Sequence, residues 1–120
     1  MVMTNDLEAG VATLRALDEH GIPIDAAFWH LDDDDQWRFY VHSLLGGPSR
    51  RSVYRAIQDA LEGRSGVLPL EEVTVLPDNS ELLGLLRAMI STGGAGLNQV
   101  RLSGNTVNGV FIRDVVAYRL

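Results

Sequence analysis

The sequence predicts an α+β domain: a two-layer sandwich of three helices on a mixed five-stranded sheet, in the order αββαβαββ. Three observations carry this expectation. Apolar residues recur at helical spacing in three separate segments. Five shorter segments are rich in β-branched and aromatic residues and are bounded by turn residues. Strands and helices alternate in the middle of the chain, while hairpin patterns stand on either side of it. The 120 residues contain no repeat, low-complexity tract or linker, so residues 1–120 are read as one domain.

The first helix is expected over about residues 6–20, where Leu7, Val11, Leu14 and Leu17 line one face. Asn5 with Glu8 has the pattern of a capping box, and Gly21-Ile22-Pro23 has that of a left-handed stop. Strands follow at 24–31 and 36–45, joined through Asp32-Asp33-Asp34-Asp35. A turn centred on Asp33 and Asp34 places Phe28, His30, Trp37, Phe39 and Val41 on one face. Trp29, Leu31, Arg38, Tyr40 and His42 then share the other, which is too aromatic for open solvent.

Ser49 and Gly63 bracket a second helix over about 50–62, with Val53, Ala56, Ile57, Ala60 and Leu61 inward. A connector and a short strand at 72–76 lead to Pro77. Asp78 with Glu81 repeats the capping-box pattern ahead of a third helix, about 79–91, whose apolar circumference predicts that it is the most buried of the three. After Gly93-Gly94-Ala95-Gly96 the chain reads as strands at 98–105 and 110–119 around Asn108-Gly109, with Val100, Leu102, Phe111, Val115 and Ala117 inward. Parallel right-handed crossovers at both strand-helix-strand connections would put the middle and last helices on one side of the sheet.

Composition removes whole classes of chemistry. The absence of Cys excludes disulfide scaffolds, thiolate catalysis and Cys-based metal centres. All ten basic residues are Arg, which excludes a Schiff-base lysine and a Walker lysine. No apolar run approaches the length of a membrane span and Met1-Val2-Met3-Thr4-Asn5-Asp6 lacks the character of a signal peptide, so a cytoplasmic location is expected. The net charge of −6 lies entirely in residues 1–63 and is concentrated in Asp32 to Asp35. Nucleic-acid binding is disfavoured by this balance. The acidic turn and the Arg-rich group Arg50, Arg51, Arg55 and Arg64 are expected to attract each other, within one copy or between two.

The segment Gly21-Ile22-Pro23-Ile24-Asp25-Ala26-Ala27, then Trp37, Gly47-Pro48 ahead of Tyr54, and the ending Gly104 to Ile112 with Asp114 and Tyr118-Arg119-Leu120 resemble a family of small uncharacterised bacterial single-domain proteins. The resemblance covers nearly the whole chain and implies a stand-alone bacterial domain. It brings no activity, substrate or catalytic residue with it.

The candidate ligand site is Gly47, Ser49, Arg50, Arg51 and Ser52, where a strand, a glycine loop and a helix start present backbone N–H groups to an anion. The bland alternative is a proline-led turn with a Ser cap and solvated arginines. The Gly93 to Gly96 loop runs from helix to strand, the wrong polarity for a phosphate site. The Asp run lacks the alternating ligands of a calcium loop and reads as a solvated turn. His30 and His42 fall on opposite faces in the preferred register; a shift of one residue would bring them to one side, where an Asp could join them around a metal. Ser49, Ser52, Ser91 and Ser103 lack a nucleophile-elbow context. Trp29, Leu31 and Tyr40 form the candidate interface, since aromatic residues anchor associations. The expected function is therefore a small non-enzymatic protein-interaction domain, acting as a homo-oligomer or as an accessory subunit of a larger bacterial system, with no metal and no cofactor. The alternative is an anion- or phosphate-binding domain, or a small phosphoester-acting enzyme, using Gly47 to Ser52.

Overall fold

Residues 4–32, 34–44, 50–89, 100–107 and 109–120 are described by a computed structural model. The elements are α1 (Thr4–Glu19), β1 (Ile24–Leu31), β2 (Trp37–Ser43), α2 (Arg50–Leu61), β3 (Val73–Val75), α3 (Glu81–Met89), β4 (Val100–Val107) and β5 (Val110–Arg119). A single 3-10 turn, Leu70–Glu72, leads into β3. Among the described residues, three helices and a mixed five-stranded sheet make an α+β fold in the expected chain order.

Local chemistry accounts for several boundaries. Gly21 takes φ +78° after α1, and the Ile22 N–H reaches back to the Leu17 carbonyl at 3.0 Å, a left-handed stop that needs no side chain at Gly21. At the start of the same helix, α1 already includes Thr4, so Asn5 sits within the helix rather than capping it. Gly109, at φ +80°, supplies half of the two-residue turn that pairs Val107 with Val110.

The sheet order is β3-β2-β1-β5-β4. β3 runs parallel to β2, and the remaining neighbours are antiparallel. Hence the connection through α2 is a parallel crossover between adjacent strands. That through α3 instead crosses from one sheet edge to the other and arrives antiparallel, because the β4–β5 hairpin docks on β1 through β5.

The register of β1 and β2 differs from the expected one by a single residue. Phe28 pairs with Tyr40, Trp29 with Phe39, His30 with Arg38 and Leu31 with Trp37. The cause lies in the connection. Asp32 N–H donates to the Gln36 carbonyl at 2.9 Å, so the loop holds three residues instead of two, and Asp35 closes it at φ 60°. An odd residue in the loop exchanges faces for one whole strand relative to the other. Phe28, Tyr40 and His42 therefore share one face with Ala26, while Trp29, Phe39 and Val41 share the opposite face with Ala27.

Two apolar cores result, one on each side of the sheet. Leu14 and Leu17 of α1 and Val53, Ile57 and Ala60 of α2 pack with Trp29, Phe39, Val41, Val75, Val116 and Tyr118. Leu83 and Leu86 of α3 pack with Ala26, Phe28, Val115 and Ala117. The layering thus departs from the expected two-layer sandwich: α3 covers the face opposite to α1 and α2. It is also not the most buried helix. Among the described residues of α3 only Leu83 and Leu86 are fully buried, because this short helix is the only described helix on its face. On the other face, α1 and α2 pack beside each other as well as on the sheet.

Polar ties fasten the thicker layer. The buried Thr13 hydroxyl donates to the Ala9 carbonyl at 2.7 Å and accepts the Leu68 N–H at 2.8 Å, holding the connector against α1. The Tyr54 hydroxyl accepts the Val75 N–H at 2.8 Å, so α2 satisfies a donor on the edge strand β3. Arg119, 4% exposed, forks onto both Asp18 carboxylate oxygens at 3.0 Å and onto the Ile24 carbonyl, joining the end of β5 to α1.

Gly10 marks the closest approach of α1 to the sheet. A Cβ there would stand 2.8 Å from Trp29 Nε1 and 2.9 Å from the Tyr118 hydroxyl oxygen. Helix propensity favours alanine over glycine by about 1 kcal/mol, whereas overfilling a packed core costs roughly 1–3 kcal/mol. Gly10→Ala is expected to lower stability by about 1 kcal/mol net in urea unfolding; a variant more stable than wild type would show that α1 can retreat from the sheet.

Candidate functional site

The structure scatters the residues that the sequence singled out. Gly47 and Ser49 lie outside the described residues, as do Ser91 and the Gly93 to Gly96 loop. Arg50 opens α2, with Arg51 and Ser52 exposed in its first turn. Of the three interface candidates, Trp29 is only 3% exposed, within the core under α1, while Leu31 and Tyr40 are half-buried. The three do not form one surface, because the register puts Tyr40 on the face opposite to Trp29. Tyr40 rests instead against Phe28, with ring centroids 5.5 Å apart.

The same register puts His30 and His42 on one face without bringing them together. His30 pairs with Arg38 near the loop, and His42 pairs with Ala26 at the other end of β2. Among the described residues no group of three or more His, Asp or Glu is arranged to hold a metal ion.

His42 instead joins a charged group of four residues that sequence spacing did not assemble. Its side chain is 9% exposed, and both ring nitrogens meet carboxylates. Nδ1 lies 2.6 Å from Asp25 Oδ1, and Nε2 lies 2.8 Å from Asp78 Oδ1. Arg87, in the last turn of α3, donates to Asp25 Oδ2 at 2.6 Å and to the Asp25 carbonyl at 3.3 Å. A neutral imidazole has one N–H to give, so donating to both carboxylates at once requires the doubly protonated ring.

Local structure explains why Asp78 is available. The α3 cap is Ser80, whose hydroxyl oxygen accepts the Leu83 N–H at 3.2 Å, so Asp78 is not used in the expected capping box. Asp25 sits at an irregularity of β1, where the register shifts between Ile24 and Ala26. Burial pushes the Asp25 carboxyl upward, but the Arg87 and His42 hydrogen bonds outweigh it and hold the group below its usual range.

The acidic turn is likewise a structural device. Asp32 Oδ1 accepts N–H bonds from Asp34 and Gln36, each 2.9 Å, and Oδ2 accepts from Arg38 Nε at 2.6 Å. These donors, Arg38 foremost, lower the Asp32 carboxyl. Arg113 of β5 pairs with Asp35 and donates to the Asp32 carbonyl at 3.1 Å. Within the chain, Asp32 and Asp35 of the turn thus pair with Arg38 and Arg113. Arg64 pairs with Glu19 at 2.9 Å.

Two concavities accompany these groups. One of about 290 Å³ lies between the start of α1 and β2, with Asp6, Glu71, Glu72 and Trp37 in its wall. The other, about 240 Å³, lies at the far half of the β4–β5 hairpin, between Leu31, Leu82, Phe111 and Ile112. β1 pairs with β5 only over Val115–Arg119, so the hairpin continues past it as an arm. Phe111, expected to face inward, is instead 61% exposed, and the neighbouring Ile112, 1% exposed, takes the inward place in the core with Val115 and Ala117.

No protein-family model matches the chain, and no curated protein or solved structure matches it significantly. No helix among the described residues is long and apolar enough to cross a membrane.

Two titrations give this arrangement a pH signature. The depressed Asp25 contributes stability that is complete above its ordinary value of 3.8 and is lost as pH falls through its lower folded value. Tyr118 behaves in the opposite sense: burial, partly offset by the neighbouring Trp29 N–H, pushes it from 10.0 to about 12, so its contribution fades as pH rises across that interval. Asp25→Asn is expected to flatten the acid limb of a stability profile measured by chemical unfolding. Tyr118→Phe is expected to flatten the alkaline limb, where the wild type loses up to about tenfold in folding constant per pH unit.

Proposed function

We propose that this protein is a cytoplasmic, non-enzymatic association domain that pairs with a second copy of itself through the β4–β5 arm. The observation that carries the reading is an edge strand of eight residues, β4, on an arm whose outer half bears an exposed Phe111. A strand at a sheet edge offers a row of N–H and C=O groups to another strand. An exposed aromatic beside it supplies the apolar anchor that most interface energy resides in.

The arm carries both a protruding ring and an adjacent apolar groove between Leu31, Leu82 and Ile112. Such a surface is self-complementary about a two-fold axis: the ring of one copy enters the groove of the other. Leu31 thereby keeps a place in the association surface, whereas Trp29 belongs to the core. Internal ties keep the arm rigid. Arg101 forks onto Asp114 across its two strands at 3.2 and 2.6 Å, and Arg113 anchors it to the acidic turn. A rigid arm loses little freedom on docking, which favours association.

Light scattering on the purified chain is expected to show a dimer. Phe111→Asp is expected to weaken it by roughly 2 kcal/mol, about thirtyfold, with an unchanged circular dichroism spectrum. A wild-type monomer throughout the micromolar and sub-millimolar range, with no other chain co-purifying, would overturn the reading.

A further inference from the structure

We infer that the His42 group is a binding site for a small oxyanion, a carboxylate or a phosphate, and that Asp78 is its built-in, displaceable occupant. The inference rests on the contrast between the two carboxylates that His42 touches. Asp25 is largely buried, with its side chain 16% exposed, and Arg87 balances its charge. Asp78 has a side chain that is 95% exposed, yet its carboxylate reaches a ring nitrogen of a histidine that is 9% exposed. Asp25 with Arg87 forms a neutral pair that fixes the imidazole through Nδ1. When the ring carries both protons, its charge is then left for whatever lies at Nε2.

Asp78 is suited to leaving that position. It is the solvated member of its pair with His42, so its carboxylate can turn into water without disturbing any packing. Ser80 holds the start of α3, so moving the Asp78 side chain does not cost the helix its cap. The groups that face the ring are Asp25 from β1, Asp78 from the segment before α3, and Arg87 from α3 through Asp25. With Asp78 turned away and the ring protonated on both nitrogens, the remaining three carry a net charge of +1 and an N–H without an acceptor. An external oxyanion restores both the charge balance and the hydrogen bond. A bound carboxylate reproduces the Asp78 contact at Nε2, and a phosphate offers more acceptors at the same place.

The test follows the His42 ring resonances by nuclear magnetic resonance at a pH where the ring is doubly protonated, while inorganic phosphate or acetate is added at constant ionic strength. Saturable movement of the His42 signals is expected in the wild type. In Asp78→Ala, checked by thermal melting to be folded, the same anion is expected to bind several-fold more tightly, because the competing internal carboxylate is gone. A response to phosphate alone or to acetate alone supports the site and assigns its ligand class. Absence of saturable movement in Asp78→Ala overturns the inference. So does an affinity that Asp78→Ala leaves unchanged, since the anion then binds without displacing that carboxylate.

Discussion

Everything on the two faces of this sheet depends on a loop of three residues between β1 and β2. Asp32 closes it with its own backbone and carboxylate, and Asp35 adopts the left-handed conformation that a three-residue hairpin needs. Because side chains alternate along a strand, that extra residue decides the surroundings of every group on β2. Phe39 and Val41 turn toward α1 and α2, and Tyr40 and His42 toward α3. A two-residue loop would place the His42 imidazole among the aromatic rings on Trp29's face, far from Asp78.

Arginine serves as the tie between elements in this lysine-free chain. Arg119 links β5 to α1, Arg87 links α3 to β1, Arg113 links the arm to the acidic loop, and Arg101 links β4 to β5. The planar guanidinium suits this use, since it forks onto a carboxylate and keeps its charge at any relevant pH. Much of the apparent acidity is therefore consumed inside the fold. The net charge of −6 consequently says little about partners.

The two helical layers are held by different means. α1 and α2 bury a broad apolar surface, with α1 pressed so close that Gly10 has no room for a side chain. α3 contributes fewer fully buried residues and relies in addition on the charged group, which it meets through Asp78 before its first turn and Arg87 in its last. A thinly packed element fastened by exposed charges is the part of a fold most open to exchange with an outside ligand. On β5, Val115 to Leu120 and Ile112 are buried, whereas Phe111 stands in solvent.

Much of the fold was legible in the residues because it rests on interactions a few positions apart. Helical spacing in α1, the Gly21 stop, the Asn108-Gly109 hairpin and the αββαβαββ order all follow from chemistry within single segments. The candidate sites were less legible. Four consecutive Asp permit a loop of two or three residues, so the faces of Trp29, Tyr40 and His42 were undetermined. Asp78 and Ser80 are both good caps, and only packing decided that Ser80 would take the helix and Asp78 the histidine. The connection through α3 was long enough to cross either face, and the docking of β5 on β1 settled which edge it had to reach. Local propensity thus set the elements, while register, layering and the meeting of Asp25, His42, Asp78 and Arg87 were decided by contacts between residues far apart in the chain, where one residue of slip exchanges the two faces.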